Sequence, residues 1–174
     1  MPNKIELREI DYIRWQNRAL QFYLAARSSH ATKLWAPAAY SSAMAIELIL
    51  KATLIYWDKS FDPLASGHRI SKMLRTVGNK AKLVSAPRVP DYFFVGSRYL
   101  SVSRYPNEKR GIGIPGTFLI DLDQAFTDLL LLVPFQFNSE LKRMLSGKDR
   151  SGLLILRKVN SQMRRLRSEL SGPN

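Results

Sequence analysis

The sequence predicts an all-α fold: an up-and-down antiparallel bundle of four to five core helices, with an additional basic helix at its C-terminal end. Three observations carry this. Apolar residues recur at helical 3-4 spacing in five separate segments, with no comparable run of strand-like alternation. The segments are separated by Pro, Gly, Asn and Asp breaks. One of them, Tyr40–Tyr56 (YSSAMAIELILKATLIY), is apolar around most of its circumference, as the central helix of a bundle must be.

The first helix is expected over Ile10–Ser29. Ile10, Ile13, Asn17, Leu20 and Leu24 form one stripe, and Tyr12, Trp15, Ala19, Phe22 and Ala26 widen it. That breadth implies contact with more than one neighbour. The second helix is expected from Pro37, a residue suited to a first turn, to Trp57. Its stripe of Ala39, Ala43, Ile46, Leu50 and Thr53 lets a neighbour approach closely. A third helix follows Ser66-Gly67-His68, with Ile70, Met73, Leu74 and Val77 facing inward and Gly78-Asn79 as its stop. Ser66 or His68 is expected to cap it. A fourth starts after Pro90 and ends before Pro106. Thr117–Ile120 reads as a short strand or an extended entry. It leads to a fifth helix over Leu122–Val133, capped by Asp121 or Asp123.

The whole chain reads as one domain, with a bundle over residues 9–133 and a basic helical extension over residues 138–174. In that extension Leu156, Val159, Met163, Leu166 and Leu170 make an amphipathic stripe flanked by arginines and Lys158. Nine Lys/Arg against three Asp/Glu give the extension +6 of the chain's net charge of +13. Such an excess attracts polyanions, so RNA or a nucleotide is an expected partner.

Composition narrows the chemistry. There is no cysteine, which removes disulfides and thiolate metal sites. His30 and His68 are the only imidazoles, so no metal site and no cofactor is expected. No apolar run approaches the length of a membrane span, and the first residues, MPNKIELREID, lack the apolar stretch of a secretion signal. A cytoplasmic protein without membrane attachment is expected. Gly111-x-Gly113-x-x-Gly116 fits a dinucleotide fingerprint by spelling alone. It follows no strand and contains Pro115, so it reads as a turn.

Two groups of polar residues remain. Glu47 and Lys51 are one turn apart on the apolar second helix, and a buried Glu47 needs a further partner, for which Arg98 or Arg104 is a candidate. Arg98, Tyr99, Arg104, Tyr105 and Arg110 alternate cations with aromatics, a pattern that contacts phosphates and stacks on bases. Arg69, Lys72 and Arg75 add to it.

At these positions the chain resembles the HEPN family (higher eukaryotes and prokaryotes nucleotide-binding domain). Tyr40, Ala43, Glu47, Leu50, Lys51, Ala52 and Leu54 match its second-helix pattern, with the glutamate displaced by one position. Gly67-His68 matches the opening of its third helix, and Arg104-Tyr105-Pro106 matches a later turn. The resemblance covers about residues 9–133. It implies a homodimeric helical bundle that is either a metal-independent ribonuclease or a non-catalytic nucleotide- or RNA-binding module. Some members partner a nucleotidyltransferase, and a toxin–antitoxin setting is one such context.

The ribonuclease signature of the family is arginine, four to six residues, then histidine. Here four to six intervening residues after Arg104 lead to Lys109, Arg110 and Gly111, and no histidine follows position 68. Lysine and arginine stay protonated near neutral pH and make poor general bases. The expected function is therefore binding without catalysis. Glu47, Lys51, His68, Arg98, Arg104, Tyr105 and Arg110 are the expected contacts to nucleotide or RNA. The alternatives are a divergent ribonuclease using Arg104 with Tyr105 or His68, and a regulatory partner of a nucleotidyltransferase or an antitoxin.

Overall fold

In a computed structural model of the protein, the described residues are 4–82, 87–93 and 114–134, together with 155, 157, 160, 162, 164 and 165. They contain four helices and no strand: α1 (Lys4–Ala31), α2 (Trp35–Trp57), α3 (Ile70–Lys80) and α4 (Phe118–Leu130). Asp91–Phe93 are also helical, directly after Pro90.

α2 is the axis of the bundle. Every residue from Ala45 to Leu54 is buried, and α1, α3 and α4 all pack on it. Small side chains make this possible: Ala19 and Ala26 of α1 and Ala38, Ala43, Ala45 and Ala52 of α2 are fully buried. Two hydroxyls in this dry helix turn back on its own backbone. Ser42 donates to the Ala39 carbonyl at 2.8 Å and Thr53 to the Ile49 carbonyl at 2.8 Å. By length and composition α2 would also suit a membrane span, but most of it is buried within the bundle.

The link between α1 and α2 is three residues long, so the two helices run antiparallel. Its geometry is a Schellman turn. The Leu34 N–H donates to the Ser29 carbonyl at 2.8 Å and the Lys33 N–H to the His30 carbonyl at 3.0 Å. Lys33 sits at φ 61°, in the left-handed region that glycine normally fills. Pro37 is the third residue of α2, where no backbone donor is lost.

The link after α2 is built on two aspartates. Asp58 accepts from the Ser60 N–H at 3.0 Å and its hydroxyl at 2.6 Å, and Asp62 accepts from the Leu64 and Ala65 N–H groups at 2.8 and 3.1 Å. Gly67, at φ 60°, then turns the chain into α3. Ile70, Met73 and Val77 are the buried face of α3. Lys80 at its end reaches Asp58 at 3.2 Å, which ties α3 to the end of α2.

Three local expectations are corrected. The segment expected as a strand or extended entry at Thr117–Ile120 is helical from Phe118, because Thr117 and Pro115 carbonyls already accept the first helical bonds. Asp121 lies in the first turn of α4, where the helix dipole favours it, but Asp123 is fully buried further along. Neither Ser66 nor His68 caps α3: its N-cap is Arg69 with no side-chain bond, and Ser66 donates to the Pro63 carbonyl at 2.9 Å.

The core around these helices is aromatic at one end. Tyr23 stacks on Phe126 at 4.3 Å, and Phe93 meets Phe118 at 5.6 Å. His30 stacks on Phe118 at 5.4 Å and edges Trp35 at 5.1 Å, so its ring serves packing.

Candidate nucleotide-binding site

Glu47 is 2 % exposed. A carboxylate taken this far out of water needs charge and hydrogen bonds around it. Lys51, one turn along α2, places its Nζ 2.9 Å from Oε1. His68, just before α3, places Nδ1 2.8 Å from Oε2. Each carboxylate oxygen thus has its own donor. The Lys51 ammonium also lies 5.4 Å from the centre of the Trp15 ring, so a third element, α1, closes over the pair.

Three of the seven expected contact residues therefore meet in one cluster: Glu47, Lys51 and His68. Arg98, Arg104, Tyr105 and Arg110 lie outside the described residues. Among the described residues, the further partner of Glu47 beside Lys51 is His68; the sequence candidates for that place, Arg98 and Arg104, lie outside the described residues. Proximity through the fold decided this: the link from Asp58 to Arg69 brings position 68 back beside the middle of α2.

The two ends of this cluster face different environments. Glu47 and Lys51 are buried, whereas the His68 side chain is 66 % exposed. A neutral imidazole that donates from Nδ1 to the carboxylate keeps Nε2 as an acceptor, and protonation turns Nε2 into a donor for an anion. Arg69 follows immediately, and Lys72 and Arg75 follow on α3, all exposed. The arrangement is an internally neutralised carboxylate beneath a cationic surface, suited to holding an anion.

A second polar cluster escaped the sequence reading. Arg27 of α1 is buried and pairs with the buried Asp123 of α4. Tyr23 donates to the same carboxylate oxygen at 2.7 Å. Burial raises the Asp123 carboxyl above its ordinary range, and the Arg27 charge acts against that rise. Burial and the neighbouring Asp123 likewise push the Tyr23 hydroxyl well up, so it stays a donor. The C-terminal segment is fastened here. Arg27 Nε donates to the Ile155 carbonyl at 2.9 Å, and Asn160 Nδ2 donates to the Tyr23 hydroxyl at 3.0 Å. Gln162 donates to Gln124 at 2.6 Å, and Arg165 pairs with Asp128. Ile155, Arg157, Arg164 and Arg165 are helical, whereas Asn160 is not and Gln162 lies in a turn. The Asn160 side chain accepts from the Gln162 N–H at 3.0 Å and shapes that break. The stripe residues expected here, Leu156, Val159, Met163, Leu166 and Leu170, lie outside the described residues. The signal for this cluster was present: Tyr23 and Arg27 sit one turn apart, beside Ala19 and Ala26 on the helical wheel.

Against known families, the chain matches the HEPN domain over residues 12–125. It belongs to the HEPN family. The match spans α1 from Tyr12 onward, α2, α3 and the first part of α4, and so includes Glu47, Lys51, His68 and both members of the Arg27–Asp123 pair. No curated protein and no solved structure was found to match the chain significantly. HEPN membership gives the protein a nucleotide- or RNA-related function.

Proposed function

We propose that this HEPN domain binds nucleotide or RNA phosphates without cleaving them, as a homodimer in the cytoplasm. One sequence observation carries the non-catalytic reading: within and after the matched region no histidine follows His68, so the Arg-x4-6-His pair has no general base. The geometry supports the binding part. Glu47 is spent on Lys51 and His68, leaving the exposed His68 edge and its cationic neighbours to face a phosphate. Trp35, Tyr40, Tyr56 and Trp57, part-exposed at the two ends of α2, support a partner surface. The test is incubation with labelled single-stranded RNA, read both for a complex and for cleavage. A complex with intact RNA is expected. Cleavage products, or no complex, overturn the reading.

A second reading has its own observation, the 2.8 Å contact of Glu47 with His68 Nδ1. A carboxylate that orients an imidazole leaves Nε2 placed for proton transfer. In a ribonuclease of this design, His68 takes the proton of the ribose 2′-hydroxyl. The 2′-oxygen attacks phosphorus, the bond to the 5′-oxygen breaks, and that oxygen is protonated by solvent. The products are a 2′,3′-cyclic phosphate and a 5′-hydroxyl. Arg104 would stabilise the phosphorane charge. Cleavage by the wild type that is lost in both His68→Ala and Arg104→Ala supports this reading. No activity, or equal activity in all three proteins, removes it.

A further inference from the structure

We infer that the outward face of α3, carrying Arg69, Lys72 and Arg75, is the surface that tracks the phosphate backbone of single-stranded RNA. The inference rests on the RNA-binding reading above and names the site of it.

Four observations lead there. Between Asp62 and Asp91 the chain has six Lys/Arg and no Asp/Glu, although the whole sequence has 14 acidic residues. Ile70, Met73 and Val77 fix the rotation of α3 by burying one side of it on α2. With 3.6 residues per turn, Lys72 and Arg75 then straddle the opposite side, and Arg69 flanks them. All three are exposed, and among the described residues none makes an ion pair. Finally, the platform is held near both ends. The buried Glu47 holds His68 at 2.8 Å before the helix, and Asp58 holds Lys80 at 3.2 Å at its end.

The spacing suits a single strand. Helix residues three apart have Cβ atoms about 5–6 Å apart. Long side chains on that spacing reach successive phosphates, with His68 beside the first of them. No acid on α3 opposes the approach, since its sequence ISKMLRTVGNK is free of Asp and Glu. This face is legible in the described structure without any contribution from the Arg98–Arg110 segment.

The magnitude follows from counterion release. Three phosphate contacts to a single strand give a slope of about −2 in log K against log[salt], at roughly −0.7 per contact. From 50 to 200 mM salt that is roughly a 20-fold loss of affinity through α3 alone.

The test compares four full-length proteins binding a fluorescent single-stranded RNA across a salt series. They are the wild type, Arg69→Gln/Lys72→Gln/Arg75→Gln, Arg69→Lys/Arg75→Lys, and a control, Arg14→Gln/Arg18→Gln/Lys33→Gln, that removes three exposed cations elsewhere. The glutamine variant of α3 is expected to lose about 2 from the slope and at least 10-fold in affinity at low salt, with an unchanged melting curve. The lysine variant keeps the wild-type slope. The control loses less than 3-fold. Equal losses in the α3 variant and the control would show that net charge acts without a defined site, and overturn the inference. A wild type that binds while the α3 variant keeps its full slope also overturns it, and leaves the binding reading standing. A wild type that binds no RNA removes both.

Discussion

Replacing Arg27 by methionine removes one half of a fully buried ion pair and leaves its partner. The Arg27 side chain is 1 % exposed and Asp123 is 0 % exposed, so no water reaches the carboxylate to compensate. Asp123 Oδ1 keeps the Tyr23 hydroxyl at 2.7 Å, while Oδ2 has no hydrogen-bond partner among the described residues. Breaking a buried pair from one side costs about 3–5 kcal/mol. For a chain of this size each kcal/mol shifts the melting temperature by about 2–4 °C, so Arg27→Met is expected to lower it by about 6–20 °C. The loss also has a sign in pH. An isolated buried Asp123 binds its proton more tightly when folded than unfolded, so the variant gains relative stability as pH falls through the folded pKa. The double variant Arg27→Met/Asp123→Leu removes both charges and is expected to recover at least half the loss. Its remaining cost includes the Tyr23 hydroxyl, which then keeps Asn160 and loses its acceptor. Urea unfolding followed by circular dichroism measures all three proteins. A cost below about 1 kcal/mol for Arg27→Met, or a double variant no better than the single, would refute the reasoning.

Three further outcomes are expected. Glu47→Gln leaves Lys51 buried without its counter-charge and is expected to cost about 3 kcal/mol, whereas His68→Ala, at an exposed side chain, costs about 1 kcal/mol; urea unfolding of the pair checks that order. Lys33→Gly relieves a left-handed backbone at φ 61° and is expected to stabilise the protein by about 0.5–1 kcal/mol, read as a higher melting temperature. The hydrogen bonds from Ser60, with Lys80 beside them, hold the Asp58 carboxyl down from 3.8 to about 2. Its contribution is therefore present above the unfolded value and lost as pH falls through about 2, so the stability gap between the wild type and Asp58→Asn should close across that window in acid unfolding.

The parts of the fold that depend on local pattern were legible in the sequence. α2 announced itself because a central helix must be apolar on nearly every side, and Glu47 stood out as the carboxylate inside it. Gly67-His68 marked the entry to α3, and Ile70, Met73 and Val77 showed which side of it would be buried. What failed were contacts that only the folded chain creates. Asp123 near a helix start is indistinguishable from a dipole-favoured aspartate until Arg27, 96 positions away, is brought against it. The contact of Glu47 with His68 was not foreseen, because nothing local says that the link after α2 returns His68 to its side. On α1, the two adjoining stripes were read as one broad apolar face, without Gln16, Tyr23 or Arg27 in it. The inward side proved to carry Gln16, Tyr23 and Arg27 along with Ala19 and Ala26.

The wild-type protein with a single-stranded RNA, titrated across salt from 50 to 200 mM and with the RNA recovered afterwards, tests the central claim most directly. Phosphate binding without catalysis predicts an affinity that falls at least 10-fold over that range while the RNA stays intact. An affinity that does not change with salt, or RNA returned with 2′,3′-cyclic phosphate ends, would contradict it.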